Sequence, residues 1–165
     1  MFVIVMGVTG SGKSTIGKLL AELLGLSFYD ADDFHPPENR AKMAADIPLG
    51  DADRWPWLRY MAGLAAREWQ AEGGAVLACS ALKQAYRDVL LEHVPRHAVV
   101  FLELTRTTAE QRLERRRGQH EFIANFMRVL EGQYRDLEAP RAGITLSAEL
   151  PPDQIVDRVV AFLAS

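Results

Sequence analysis

Short runs of consecutive apolar residues alternate along this chain with longer stretches whose apolar positions recur every three or four residues. The first run, Phe2-Val3-Ile4-Val5-Met6, has no polar side and reads as a strand covered on both faces. Ile16, Leu19, Leu20, Leu23 and Leu24 then keep the spacing of a helix buried along one side, and Gly25 can end it. Leu26-Ser27-Phe28-Tyr29 is a short second strand, and runs at 75–79, 98–104 and 144–146 supply the third, fourth and a weak fifth. Helical spacing falls between them. A short helix is expected over 38–45, a longer one over 53–71 with Pro56 near its first turn, and another over 82–92. Thr107 with Glu110 forms a capping box for a helix that runs into Arg112, Arg115, Arg116 and Arg117, where Gly118-Gln119-His120 interrupts it. Ile123, Phe126, Met127, Leu130 and Leu137 outline the next helix, stopped by Pro140, and Pro151-Pro152 open a closing helix through Leu163.

Strand and helix in alternation indicate an α/β fold with a parallel sheet of five strands flanked by helices. With 165 residues, 48% of them apolar, a single domain spanning 1–165 is expected, without repeats or linkers. The polar, proline-bearing stretch at about 33–58 reads as an excursion away from the sheet, and about 115–124 as a lid.

Charge and cysteine narrow the class. A net charge of −3 gives no basic surface for nucleic acid. Cys79 is the only cysteine, so no intrachain disulfide forms, and its position ending an apolar run suggests a packed thiol. Five apolar residues before a glycine loop are too few for a signal or membrane segment, which makes the cytoplasm the default expectation. His35, His93, His97 and His120 are not grouped at metal-ligand spacings.

The first strand leads directly into Gly7-Val8-Thr9-Gly10-Ser11-Gly12-Lys13-Ser14, a match to G-x-x-x-x-G-K-[ST] with a helix after it. Strand, glycine loop and helix in that order form a phosphate cradle: loop N–H groups and the positive helix end face the anion. Gly7, Thr9, Gly10, Ser11, Gly12, Lys13, Ser14 and Thr15 are therefore the candidate residues for binding the phosphates of a nucleoside triphosphate. Lys13 reaches the terminal phosphates, and the Ser14 hydroxyl takes one Mg²⁺ position.

Asp30 and Asp32 follow the second strand, at the end where open α/β sheets take ligands. If the strand continues through Asp32, both point the same way: Asp30 toward Mg²⁺ through water, Asp32 toward an attacking hydroxyl. The alternative is that Asp30 and Asp33 only end the strand and cap the next turn. The third strand ends in Cys79-Ser80 where many phosphate-loop proteins carry a metal-facing Asp. Arg112 and Arg116, four apart on one helix, suit a lid that brings guanidinium groups to the transferring phosphate. Trp55, Trp57 and Trp69 read as packing residues, Trp57 lying nearest the excursion.

Several stretches together resemble the gluconokinase family: Asp30-Ala31-Asp32-Asp33-Phe34-His35-Pro36-Pro37-Glu38-Asn39, Lys42-Met43, Asp51-Ala52-Asp53-Arg54, Pro56-Trp57-Leu58, Cys79-Ser80-Ala81-Leu82-Lys83 and Tyr86-Arg87-Asp88. The resemblance implies ATP- and Mg²⁺-dependent phosphorylation of D-gluconate at its 6-hydroxyl, feeding the pentose phosphate or Entner–Doudoroff routes. It also implies sheet order 2-3-1-4-5 and a homodimer. Lys13, Asp32, Arg112 and Arg116 then become the candidate catalytic residues, and Asp32, His35, Asn39, Lys42, Arg54, Lys83 and Arg87 the candidate substrate ligands. Lys42 or Arg54 has an alternative partner in Asp46, Asp51 or Asp53. The chain departs from the family at the lid, where Gln119 follows Gly118 and His120 comes one place late. Two other readings remain open at this point: a different small-molecule kinase of the same architecture, such as a shikimate kinase, and a nucleotide-binding regulator that transfers nothing.

Overall fold

The structure is a computed structural model and describes residues 1–45, 47–115 and 126–165. Its strands are β1 (Phe2–Met6), β2 (Ser27–Asp30), β3 (Ala75–Ala78), β4 (His97–Glu103) and β5 (Ile144–Ser147). They form one sheet in the order β2-β3-β1-β4-β5, every pair parallel. The helices are α1 (Lys13–Leu24), α2 (Pro37–Ala44), α3 (Asp51–Glu72), α4 (Gln84–Leu91), α5 (Arg106–Arg115), α6 (Phe126–Asp136) and α7 (Pro152–Leu163).

Because β1 is central, its alternating side chains feed two cores. Val3 and Val5 pack with Ile16 and Leu20 of α1, Leu113 of α5, Leu130 of α6 and Val159 of α7. Phe2, Ile4 and Met6 pack on the other face with Leu58 and Met61 of α3 and Tyr86 and Leu90 of α4. The expected architecture and sheet order are therefore observed.

Four local expectations are corrected. The buried side of α1 is Ile16, Gly17, Leu20 and Ala21, while Leu19 and Leu23 face outward at 39% and 60% exposure. The cap of α5 is Thr105, not Thr107: its hydroxyl accepts from Thr108 N–H at 3.3 Å. The long helix starts at Asp51, earlier than expected, because Gly50 N–H is held by the Asp53 carboxylate at 3.0 Å, and Pro56 lies inside it. Finally, β2 stops at Asp30 and the chain turns into a short 3₁₀ segment, Ala31–Phe34. Asp30 and Asp32 thus do not share a strand face; Asp30 Oδ1 instead accepts from Asp32 N–H at 3.2 Å.

Candidate active site

The carboxyl end of β1 opens into the glycine loop, and two features hold that loop tight. A Cβ at Gly7 would stand 2.7 Å from the Leu102 carbonyl oxygen, so only glycine lets the loop pass β4. Gly12 takes φ 89° at the cap of α1, a left-handed turn that leaves the first N–H groups of the helix facing the loop's hollow. Lys13 Nζ donates to the Val8 carbonyl at 3.1 Å and so lies across this hollow.

Ser14 and Asp30 meet at the loop's far end, the hydroxyl donating to Asp30 Oδ2 at 2.5 Å. This pair of oxygen donors suits Mg²⁺, which takes one or two protein oxygens and completes its shell with phosphate and water. The residues present therefore fit the metal that the sequence implies. Asp30 caps the turn after β2 through one oxygen, as the capping alternative expects, and accepts from Ser14 through the other.

Beside the loop lies a cavity of about 220 Å³. Thr9, Asp32, His35, Arg54, Trp57 and Ser80 form one side, and Arg128, Glu131, Gln133 and Arg135 of α6 the other. Asp32 is partly enclosed by the cavity walls, its side chain 65% open to solvent. That enclosure pushes its pKa up; Lys13 opposes the shift, and the Asp30 and Asp33 carboxylates reinforce it.

His35 is buried and stacks on Trp57, with ring centroids 4.2 Å apart. Burial, with Arg54 and Arg40 nearby, lowers its pKa to about 4. The imidazole is thus neutral at pH 7, and its 3.9 Å approach to Asp32 Oδ1 is not an ion pair there. Trp57 donates through Nε1 to the Ala31 carbonyl at 2.9 Å, which ties α3 to the turn carrying Asp32.

The other expected substrate ligands separate into two groups. Arg54 lines the cavity, its Nε donating to the Leu49 carbonyl at 3.3 Å. Asn39, Lys42, Lys83 and Arg87 are engaged elsewhere. Asn39 is buried between His35 and the Asp53 carbonyl, and Lys42 pairs with Asp53 at 2.5 Å. Lys83 pairs with Asp51 at 2.8 Å, and Tyr86 donates to the same carboxylate. These contacts hold the excursion to itself and to α4. The Arg87 guanidinium is buried against the carbonyls of Ala81 (2.8 Å) and Leu82 (3.0 Å). It borders a different cavity, about 500 Å³, with His97 and Arg141 near the amino ends of β4 and β5, which no residue of the glycine loop lines.

Arg112 reaches the loop from α5, donating to the carbonyls of Gly10 at 3.1 Å and Ala148 at 2.8 Å. Arg116, His120 and all of the expected lid beyond Arg115 lie outside the described residues. Cys79 is a packed thiol whose pKa burial raises to about 12, with the Asp32 charge adding to the shift. Sequence reasoning missed the wall contributed by α6. Gln133 Oε1 accepts from Thr9 N–H at 2.6 Å, and its Nε2 donates to Thr9 Oγ1 at 3.0 Å. No local pattern signals a contact across that separation.

A parallel sheet in this order, a glycine loop at its central strand and an acidic, cation-lined cavity beside that loop define a P-loop small-molecule kinase. The model of the shikimate kinase family matches residues 9–164. A gluconokinase of Gluconobacter oxydans is 39% identical, covering 96% of this chain and 89% of its own length. The crystal structure of a gluconokinase from Sinorhizobium meliloti 1021 superposes with a TM-score of 0.86 at 39% identity, over 99% of this chain and 91% of that one. A probable gluconokinase of Mus musculus is 57% identical over 88 residues, a match that spans about half of that protein (48%). The chain belongs to the shikimate kinase family of P-loop kinases and, within it, to the gluconokinases.

Proposed function

We propose that this chain transfers the γ-phosphoryl group of ATP to the 6-hydroxyl of D-gluconate, giving 6-phospho-D-gluconate and ADP with Mg²⁺. The observation that carries the proposal is the position of Asp32, in one cavity with Thr9 of the glycine loop and with Arg54. An acceptor in that cavity lies between a carboxylate, a cation and the end of the phosphate site.

The loop N–H groups and the start of α1 hold the phosphates in place, and Lys13 neutralises charge on the terminal ones. Ser14 and Asp30 would hold Mg²⁺, which when bound offsets phosphate charge. Asp32 orients the 6-hydroxyl and accepts its proton as the oxygen bonds to the γ-phosphorus. The bond from that phosphorus to the bridging oxygen breaks, and its electrons leave with ADP. A raised pKa makes Asp32 a better proton acceptor than an ordinary aspartate. Arg54, with Arg128 and Arg135 across the cavity, faces the gluconate carboxylate, while neutral His35 and Ser80 hydrogen-bond hydroxyls. Arg112 holds Gly10 in place, and Arg116 supplies charge to the transferring phosphate.

Among the described residues no helix is long and apolar enough to cross a membrane. The proposal extends to a cytoplasmic homodimer, on the family resemblance.

The test is ADP release with ATP and Mg²⁺ across D-gluconate, other sugar acids, glucose and shikimate. Stimulation by gluconate alone is the expected result. Turnover only with another acid, or none with any, overturns the assignment of substrate.

A further inference from the structure

Gln133 makes two hydrogen bonds to one residue of the glycine loop, and its helix is also a wall of the acceptor cavity. The pairing is reciprocal: the amide oxygen takes the Thr9 N–H, and the amide nitrogen gives to the Thr9 hydroxyl. A single bond would let the loop turn about it, whereas two fix both distance and orientation. The helix behind the fork is anchored. Leu130 is buried in the core that also holds Val5 and Leu102, and Tyr134 donates to the Leu104 carbonyl at 2.7 Å. On the adjoining side of the same helix, Arg128, Glu131, Gly132 and Arg135 line the cavity. Contacts made by an acceptor therefore fall within about a turn and a half of the fork.

We infer that Gln133 couples the acceptor cavity to the phosphate loop: it is a positioning residue through which a sugar acid bound against α6 sets Thr9 for the nucleotide. This rests on the acceptor reading above. Coupling of this kind is reciprocal, so the nucleotide tightens the acid by the same factor.

The experiment measures, by calorimetry with Mg²⁺, the Kd of a non-hydrolysable ATP analogue with and without saturating D-gluconate, then the Kd of gluconate with and without the analogue. In the wild type each ligand tightens the other about tenfold, within the usual range of such couplings. Gln133→Ala brings both ratios to within about twofold of one. Gln133→Asn, which keeps the amide but falls short of Thr9, behaves the same way and guards against a folding defect. Adding Thr9→Val to Gln133→Ala costs no further coupling, since the fork is already gone. A coupling ratio that Gln133→Ala leaves unchanged overturns the inference, as does a wild-type ratio of one. Gluconate that fails to bind the wild type at all overturns the acceptor assignment and this inference with it. Gluconate that binds and couples independently of Gln133 overturns this inference alone.

Discussion

The imidazole of His35 lies nearly flat against the indole of Trp57, ring centroids 4.2 Å apart and planes 21° from parallel. Burial, with Arg54 and Arg40 beside it, keeps the ring neutral, with a pKa near 4 against 6.5 in an open chain. The groups facing it are Asp32, Asn39, Arg40 and Arg54, so the two guanidiniums oppose protonation while the Asp32 carboxylate offsets them only in part. Between these two pKa values the unfolded chain binds a proton that the folded chain refuses. Stability therefore falls as the pH drops through that window, by ~2.5 kcal/mol from about pH 7.5 to about pH 4.5. Urea unfolding at the two pH values checks this. The wild type should lose that much more than His35→Gln, and equal losses would show that His35 is not held neutral.

Asp32→Asn removes a proton acceptor without changing the shape of the turn, which Asp30 and the Trp57–Ala31 hydrogen bond hold independently. Turnover should fall at least ~100-fold while the Kd for nucleotide moves less than about threefold. Steady-state kinetics with an independent nucleotide titration separates the two. Parallel loss of both would move Asp32 from the acceptor to the metal or to the fold.

The reach of the sequence differs from one part of the molecule to another, for physical reasons. Central parallel strands announce themselves because β1 and β3 are apolar on both faces, and the glycine loop because its backbone demands particular residues at fixed positions. Sheet order came from family resemblance, since periodicity says nothing about which strands pair. Where the reading failed, several residue types could satisfy the same local pattern. Leu19 and Leu23 keep helical spacing yet face outward, because the seam of α1 runs along Ile16, Gly17, Leu20 and Ala21. Lys42 pairs with Asp53 of α3, one of the partners the sequence offered it, whereas Lys83 pairs with Asp51 of that same helix, which only the folded chain brings to it. The Gln133–Thr9 fork joins residues 124 apart and leaves no trace in local spacing.

Arg54 is the cation of the excursion that lines the cavity. Arg54→Ala should raise KM for gluconate at least ~10-fold, the usual cost of a lost charged hydrogen bond, with kcat changed less than about threefold. Arg54→Lys recovers only part of the loss, because a point charge cannot both hold the Leu49 carbonyl and present a planar fork to a carboxylate. Initial rates across gluconate concentrations decide the matter, and an unchanged KM would remove Arg54 from the acceptor site.

Arg87 sits in a motif that resembles a substrate-binding stretch, yet its guanidinium is spent on the fold. It donates to the carbonyls of Ala81 and Leu82, to Gln84 Oε1 at 2.8 Å and to the Ala139 carbonyl at 3.5 Å. These bonds join the turn after β3 to the segment after α6, so they fix the two walls of the cavity without entering it. Ala81 stands in that turn at φ 39°, a strained value for a residue with a Cβ, which the surrounding bonds hold in place. Arg87→Ala should therefore lower unfolding free energy by ~3 kcal/mol, since it orphans buried carbonyls as well as emptying space. KM for gluconate in the protein that remains folded should stay within about twofold of wild type. Arg87→Lys should also destabilise, because one ammonium cannot reach carbonyls on both sides. Denaturant unfolding beside steady-state kinetics distinguishes the roles. A large rise in KM without loss of stability would return Arg87 to the substrate site.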